Sequence, residues 1–119
     1  MPAYVDGFVI PIAKDKIADY QQMAKLGRQV WKEHGALDYR ECVGDDLHPA
    51  FGVPFPKAIN ASADETIIFA WITYPSREDR DRINAAVMAD PRMHPDETKP
   101  MPFDCARMIY GGFQTLVGD

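Results

Sequence analysis

The spacing of apolar residues along the chain predicts four strands and two helices. Residues 65–74 form the longest run of β-branched and aromatic residues, which is typical of a central strand. In two other stretches the apolar residues recur every three or four positions, which predicts helices. The predicted strands are residues 4–12, 37–43, 65–74 and 105–117, and the predicted helices are residues 14–34 and 76–90.

Both predicted helices carry boundary signals at their ends. Gly35 directly follows the first helix and can adopt the left-handed conformation that closes a C-terminus. Ser76, with Asp79 three residues later, fits a capping box at the start of the second helix. Pro91 prevents that helix from continuing. These signals support the boundaries that the apolar spacing indicates.

Residues 47–64 fit neither pattern, because they combine three prolines with Phe51 and Phe55. A structureless connection of this length is uncommon in a compact domain. We therefore expect a functional cover, or a short strand or helical turn near residues 56–61.

Gly111 and Gly112 lie together in the middle of the last predicted strand. Adjacent glycines in a strand indicate a bulge, or a position where another group approaches the backbone closely. We expect one of these two features there.

The order of elements is β-α-β-β-α-β, that of a ferredoxin-like α+β fold in a single domain spanning residues 1–119. This fold places both helices on one face of an antiparallel sheet with strand order 4-1-3-2. The strand at residues 65–74 is apolar at odd and even positions alike. A bare apolar face of several hundred Å² is unusual for a monomer. The pattern therefore predicts a homodimer in which two sheets pack face to face.

The net charge of −5 disfavours binding to nucleic acid, which requires a basic surface. Arg77, Arg80 and Arg82 alternate with acidic residues and are interpreted as part of a solvated helix face. No apolar run approaches the ~20 residues that span a bilayer. We expect a cytoplasmic protein that binds neither membrane nor nucleic acid.

Cys42 and Cys105 are too few for a disulfide framework. In the strand order above they lie on opposite edges of the sheet. We expect two free, buried thiols and no intrachain disulfide, because bridged Cα atoms lie within about 7 Å of each other.

Asp6 interrupts an apolar strand, and a buried carboxylate must be paired or protonated. Arg107, on the neighbouring strand, is the candidate partner, in a pair that would anchor a ligand. Asp6, Glu41 and His34 are the candidates for acid–base catalysis. Their structural alternatives are an ion pair or a solvated rim for Asp6, and a favourable interaction with the helix dipole for His34.

Aromatic side chains offer a second binding feature. Trp71 and Tyr110, with Trp31 and Tyr74, can stack on a planar ligand, although aromatic residues at such spacing are more often core. The candidate ligand-binding residues are Asp6, Trp71, Arg107 and Tyr110. His48 and His94 flank prolines far from His34, so we expect no metal site and no cofactor.

The chain resembles domain-of-unknown-function family 1428, an uncharacterised bacterial family. The matching segments are Tyr-Val-Asp-Gly-Phe-Val (4–9), Gly-Ala-Leu (35–37), Glu-Cys (41–42), Trp-Ile-Thr-Tyr-Pro-Ser (71–76), Met-Ala-Asp-Pro-Arg-Met (88–93), Met-Pro-Phe-Asp (101–104) and Arg-Met-Ile-Tyr-Gly-Gly-Phe (107–113). Residues 47–64 correspond least. The resemblance implies a dimeric α+β barrel and implies no activity.

The sequence leaves the function unknown, with three hypotheses. The first is a dimeric protein that binds a small apolar or aromatic molecule in a cavity between helices and sheet. The second is a cofactor-independent enzyme, a monooxygenase or an isomerase, as in other members of the barrel superfamily. The third is a structural or stress-related protein without a ligand.

Overall fold

The computed structural model describes residues 2–94 and 100–118. Its elements are β1 (Tyr4–Ala13), α1 (Ile17–Glu33), β2 (Asp38–Val43), α2 (Phe55–Ala58), β3 (Glu65–Tyr74), α3 (Arg77–Ala89) and β4 (Ile109–Gln114). The predicted order is confirmed, with the short α2 added between β2 and β3. Within the described ranges, each helix is too short or too polar to span a bilayer.

The four strands form one antiparallel sheet in the order β2-β3-β1-β4, which confirms the predicted arrangement. The two longest strands, β1 and β3, lie at the centre and pair over their full length. In this register Asp6 lies opposite Ile72 of β3 on one side and opposite Gly112 of β4 on the other. The even-numbered positions of β1 and β3 therefore share one face of the sheet.

Helices α1 and α3 cover that even-numbered face and form the hydrophobic core with it. The core residues are Ile10, Ile12, Val30, Ile68, Ile72, Ile83 and Val87, each of them buried. The Ser76 hydroxyl accepts a hydrogen bond from the Asp79 backbone N–H at 3.1 Å and donates to its carboxylate at 2.9 Å. The predicted capping box thus starts α3.

The opposite face of the sheet, formed by the odd-numbered positions, is covered over only part of its area. Pro11 and Ile67 are buried at one end of it, and Phe55 of α2 packs edge-on against Phe69 with ring centroids 6.1 Å apart. Segment 47–64 thus covers this end of the sheet and contains the expected helical turn, at Phe55–Ala58. The remaining odd-numbered surface, which we call the open face, presents Val5, Val9, Phe69, Trp71, Ile109 and Phe113.

The predicted bounds of the last strand, 105–117, are wrong, because β4 spans Ile109–Gln114. Residues 105–107 form a 3₁₀ turn, in which Asp104 accepts a hydrogen bond from the Ala106 N–H at 2.9 Å, so β4 starts only at Ile109. Gly111 and Gly112 form no bulge, because the register with β1 is continuous. The alternative, a close approach, is found: a Cβ at Gly112 would overlap the Arg80 guanidinium and the Tyr4 hydroxyl.

Both cysteines are free, as predicted, and both are exposed, which corrects the expectation of buried thiols. Cys42 lies on the edge strand β2, whose open-face side has little cover. Cys105 lies in the 3₁₀ turn before β4, the other edge strand. The two residues therefore lie on opposite sides of the sheet and cannot be bridged.

A thiol count checks this arrangement. The unreduced, denatured chain should take up two maleimide labels, because each thiol is free. The readout is intact mass before and after labelling. A chain that takes no label without a reductant would contradict the strand order.

Candidate functional site

Asp6 is the most deeply buried charged group of the described structure, with 1 % of its surface exposed. It lies on the helix-facing side of β1. Its Oδ1 accepts a hydrogen bond from Arg80 Nε at 3.1 Å, and its Oδ2 accepts from Tyr74 Oη at 3.1 Å and from Asn84 Nδ2 at 3.3 Å. The carboxylate is thus paired and hydrogen-bonded, as burial requires.

The orientation of Asn84 is fixed by a second aromatic residue. Trp31 Nε1 donates to Asn84 Oδ1 at 3.0 Å. Since the indole nitrogen is only a donor, the amide oxygen must face Trp31 and the amide NH₂ is left for Asp6. Tyr74 Oη lies 3.0 Å from the same oxygen, so its proton is shared between Asn84 and Asp6.

Arg80 links this buried cluster to the surface. Its guanidinium lies 4.9 Å above the Tyr4 ring centroid, and Nη1 contacts Asp81 Oδ1 at 2.8 Å. Among the described residues, its Nη2 has only a long contact, 3.4 Å, with the Tyr4 hydroxyl. The Nη2 edge is therefore the side of the guanidinium with the most remaining hydrogen-bonding capacity, and it lies over Gly112.

The predicted pair of Asp6 with Arg107 is wrong. The register places Gly112 opposite Asp6, so Arg107 is displaced by five positions, about 17 Å along the strand. Arg107 instead forms a bidentate pair with Glu65, at 2.7 and 3.0 Å, and donates to the Asn60 carbonyl at 3.1 Å. These bonds from Arg107, together with the Ser62 N–H, lower the pKa of Glu65 to about 2.

Arg80 was overlooked because it belongs to a run of alternating charges. The signal that identifies it is its spacing: it lies three residues before Ile83 and seven before Val87, both buried. Those intervals place all three residues on one helix stripe. A cation on the buried stripe of a helix is a better partner for a buried acid than one on a neighbouring strand of unknown register.

Tyr110 lies beside the Asp6 cluster, on the same face of the sheet. Its ring stacks on Phe8 with centroids 4.9 Å apart, and 48 % of its surface is exposed. Desolvation, followed by the negative charge of Asp6, raises the pKa of Tyr110, and the same two effects raise that of Tyr74. Both phenols therefore remain protonated near neutral pH and act as hydrogen-bond donors.

A cleft of about 430 Å³ opens next to this cluster, at the N-terminus of α3. Its lining residues are Pro2, Tyr4, Ser76, Arg77, Glu78, Gly112 and Gln114. Gly112 and Tyr4 separate it from Arg80, so the cleft and the buried ion pair share a wall. We call this cavity the Arg80 cleft.

Glu41 occupies a different environment on the same face. Its carboxylate accepts hydrogen bonds from Tyr39 at 2.7 Å and from Tyr20 of α1. Desolvation is the largest effect that raises the pKa of both phenols, followed by their interactions with Glu41. The arrangement can accept or share a proton, but both carboxylate oxygens already have a donor.

The remaining candidates lie away from both carboxylates. His34 caps α1, and its Nε2 lies 3.0 Å from Asp90, which also pairs with Arg92. Trp71 lies on the open face, between Phe69 and the Arg40 guanidinium. The structure thus brings Asp6 and Tyr110 together and separates both from Glu41, His34, Trp71 and Arg107. The described residues contain no cluster of three or more potential metal ligands.

A double-mutant cycle tests the Asp6–Arg80 pair. Arg80→Met should destabilise the protein by about 3 kcal/mol, because it leaves a buried carboxylate without its cation. Adding Asp6→Asn should cost at least about 1 kcal/mol less than the sum of the single changes. Chemical denaturation measures the free energy of unfolding of each variant.

Arg107→Met is the matched control, because it removes the same charge from a partly exposed pair. It should shift the melting temperature by about 2 °C or less. Additive effects of Asp6→Asn and Arg80→Met, or a larger loss in the control, would contradict the assignment.

Two comparisons with solved structures support the fold. A dimeric ferredoxin-like protein from an uncultured marine organism superposes with a TM-score of 0.61 at 8 % identity, over 100 % of both chains. A nipsnap family protein with unknown function from Agrobacterium tumefaciens gives a TM-score of 0.55 at 14 % identity, over 96 % of this chain and 88 % of that one.

Sequence comparison identifies closer relatives. The uncharacterized protein YbaA of Escherichia coli strain K12 and its counterpart in Shigella flexneri are each 42 % identical to this chain over 116 residues, 98 % of either length. Residues 3–105 match the family model described as protein of unknown function, DUF1428. Because both matches span most of the chain, the protein belongs to the DUF1428 family.

Proposed function

We propose that this protein is a homodimer that binds a small molecule with apolar and polar groups, held in the Arg80 cleft. The observation that carries the proposal is that Tyr4 and Gly112, which line the cleft, also lie against the guanidinium of the buried Asp6–Arg80 pair. The lining combines apolar surface with polar side chains that include Ser76, Arg77 and Glu78, and polar groups that fix the orientation of a ligand are typical of small-molecule sites. The proposed binding site therefore lies at the rim of the sheet beside α3, whereas the sequence predicted a cavity between the helices and the sheet.

The charges around Arg80 favour a neutral acceptor over an anion. Asp6 and Asp81 both contact the guanidinium, so the three groups together carry a negative charge. A carbonyl or hydroxyl oxygen can accept from Nη2 without adding to that charge. The Tyr4 hydroxyl, 3.4 Å from Nη2, can contact the same ligand atom.

The geometry favours binding over catalysis. The Asp6 carboxylate already accepts from three side chains, and Glu41 from two. A general base must lie within hydrogen-bonding reach of the proton it removes, and the Asp6 carboxylate is only 1 % exposed. The two acids are better suited to hold neighbouring groups in place.

Native mass spectrometry tests the cleft. The protein purified from cells should carry a small-molecule adduct. Gly112→Ala should lose it, because the added methyl would collide with Arg80 and Tyr4 at the cleft wall. Gly111→Ala is the matched control, because its nearest side-chain atom lies at an ordinary 3.7 Å, on the other face of the sheet. An adduct retained equally by both variants, or absent from the wild type, would contradict the proposal.

The open face supports the homodimer. Phe113 is 61 % exposed, and Phe69 and Ile109 are also exposed on this surface. When one face of an antiparallel sheet is solvated, residues alternate along each strand so that this face is polar. The open face is instead largely apolar. A second copy offers a matching face, and one of the superposable structures is described as a dimer.

Sedimentation tests the oligomeric state. At micromolar concentration the protein should sediment at twice the chain mass of 13.4 kDa. Phe113→Asp should produce a monomer, because a buried charge at the interface costs several kcal/mol. Met88→Asp, an exposed apolar position on α3, should leave the dimer intact. A monomeric wild type would contradict the proposed assembly.

A further inference from the structure

Two apolar side chains that follow β4 are almost fully exposed in the described structure. Leu116 and Val117 are 95 % and 90 % exposed, more than the other exposed large apolar residues of the described structure. The Thr115 N–H bonds to the Ala3 carbonyl at 3.1 Å, so the chain follows the sheet up to the point where these residues begin. The tail, residues 116–118, therefore leaves the sheet at one corner of the open face.

An apolar notch lies at the diagonally opposite corner. It has a volume of about 240 Å³ and is lined by Cys42, Val43, Gly44, Leu47, Phe55, Ile67 and Phe69. These residues belong to the β2 edge, to the neighbouring strand β3 and to segment 47–64, which covers the opposite end of the sheet from the tail. The notch has the size and character to receive an aliphatic side chain.

The tail cannot fill the notch of its own chain. By the register, the two corners differ by about seven residues along the strands and by two to three strands across them, so they lie about 25 Å apart. Three residues span at most ~10 Å. Any side chain from this tail that enters a notch must come from another copy.

We propose that Leu116 and Val117 of each protomer insert into the notch of the partner. This inference rests on the homodimer proposed above. A two-fold axis in the plane of the interface, perpendicular to the line that joins tail and notch, places each tail on the opposite notch. Both contacts form at once because the interface is isologous.

The size of the open face also favours this arrangement. The part that segment 47–64 leaves uncovered is about 15 Å by 19 Å, or roughly 300 Å² in projection. A standard interface removes about 800 Å² per partner. The tails and notches extend the contact from the centre of the sheet to both corners and so add to the surface that the dimer buries.

A cross-linking experiment uses the native Cys42 thiol as the probe of the notch. The background is a Cys105→Ser chain, which leaves Cys42 as its native thiol. In this background Leu116→Cys should form a disulfide-linked dimer on mild oxidation. Its yield should be at least about tenfold higher than that of a surface cysteine that meets Cys42 only by collision. Intact mass and peptide mapping identify the linkage. Ala18→Cys, an exposed position on α1, is the matched control, and the dimer should disappear when Cys42→Ser is added.

The outcomes separate this inference from the proposed function. The tail insertion is overturned if the disulfide forms within one chain. It is also overturned if the yield of covalent dimer is no higher than in the Ala18→Cys control, even when sedimentation shows a dimer. A monomeric wild type overturns both. As a second measurement, Leu116→Asp should weaken the sedimenting dimer by about tenfold, and an unchanged dissociation constant would also overturn it.

Discussion

The burial of the Asp6 carboxylate constrains the whole helix-facing side of the domain. Removing such a group from water costs several kcal/mol even after the protein relaxes, so it needs a cation and donors at fixed positions. Arg80 and Asn84 supply these from α3, and Tyr74 supplies one from β3. Apolar packing is non-directional and does not by itself fix how a helix is rotated over a sheet. The contacts to Asp6 do so for α3.

The same ion pair explains a residue on the neighbouring strand. The Arg80 guanidinium reaches Asp6 by passing over β4 beside Tyr4, and a side chain at position 112 would occupy that space. Gly112 is therefore required by side-chain packing and not by a turn. Because the glycine also borders the Arg80 cleft, one steric constraint serves both the stability of the core and the shape of the proposed site.

The sequence predicted the fold well because the relevant signals are local. A run of β-branched and aromatic residues defined β3, the Ser76–Asp79 pair defined the start of α3, and the element order then determined the sheet. The site was predicted only in part. The need of Asp6 for a cation follows from burial alone, but the identity of that cation depends on strand register and on the rotation of α3 over the sheet. The spacing of Arg80 from Ile83 and Val87 places it on the buried stripe of α3, but only those two quantities place that stripe over Asp6. The tyrosines that hold Glu41 were missed for the same reason, since Tyr20 comes from a distant helix.

Segment 47–64 joins two strands that are neighbours in the sheet, which a turn of about four residues could have connected. Closing a connection of about twenty residues instead of four costs roughly 1.5 kcal/mol in chain entropy. Burial of Ile67 beneath this segment and the contact of Phe55 with Phe69 help to offset that cost. Since the penalty rises only with the logarithm of length, this connection can lengthen or shorten among relatives without disturbing the four strands. Its length would then determine how much of the sheet remains available to a partner, so that assembly can diverge while the domain itself is preserved.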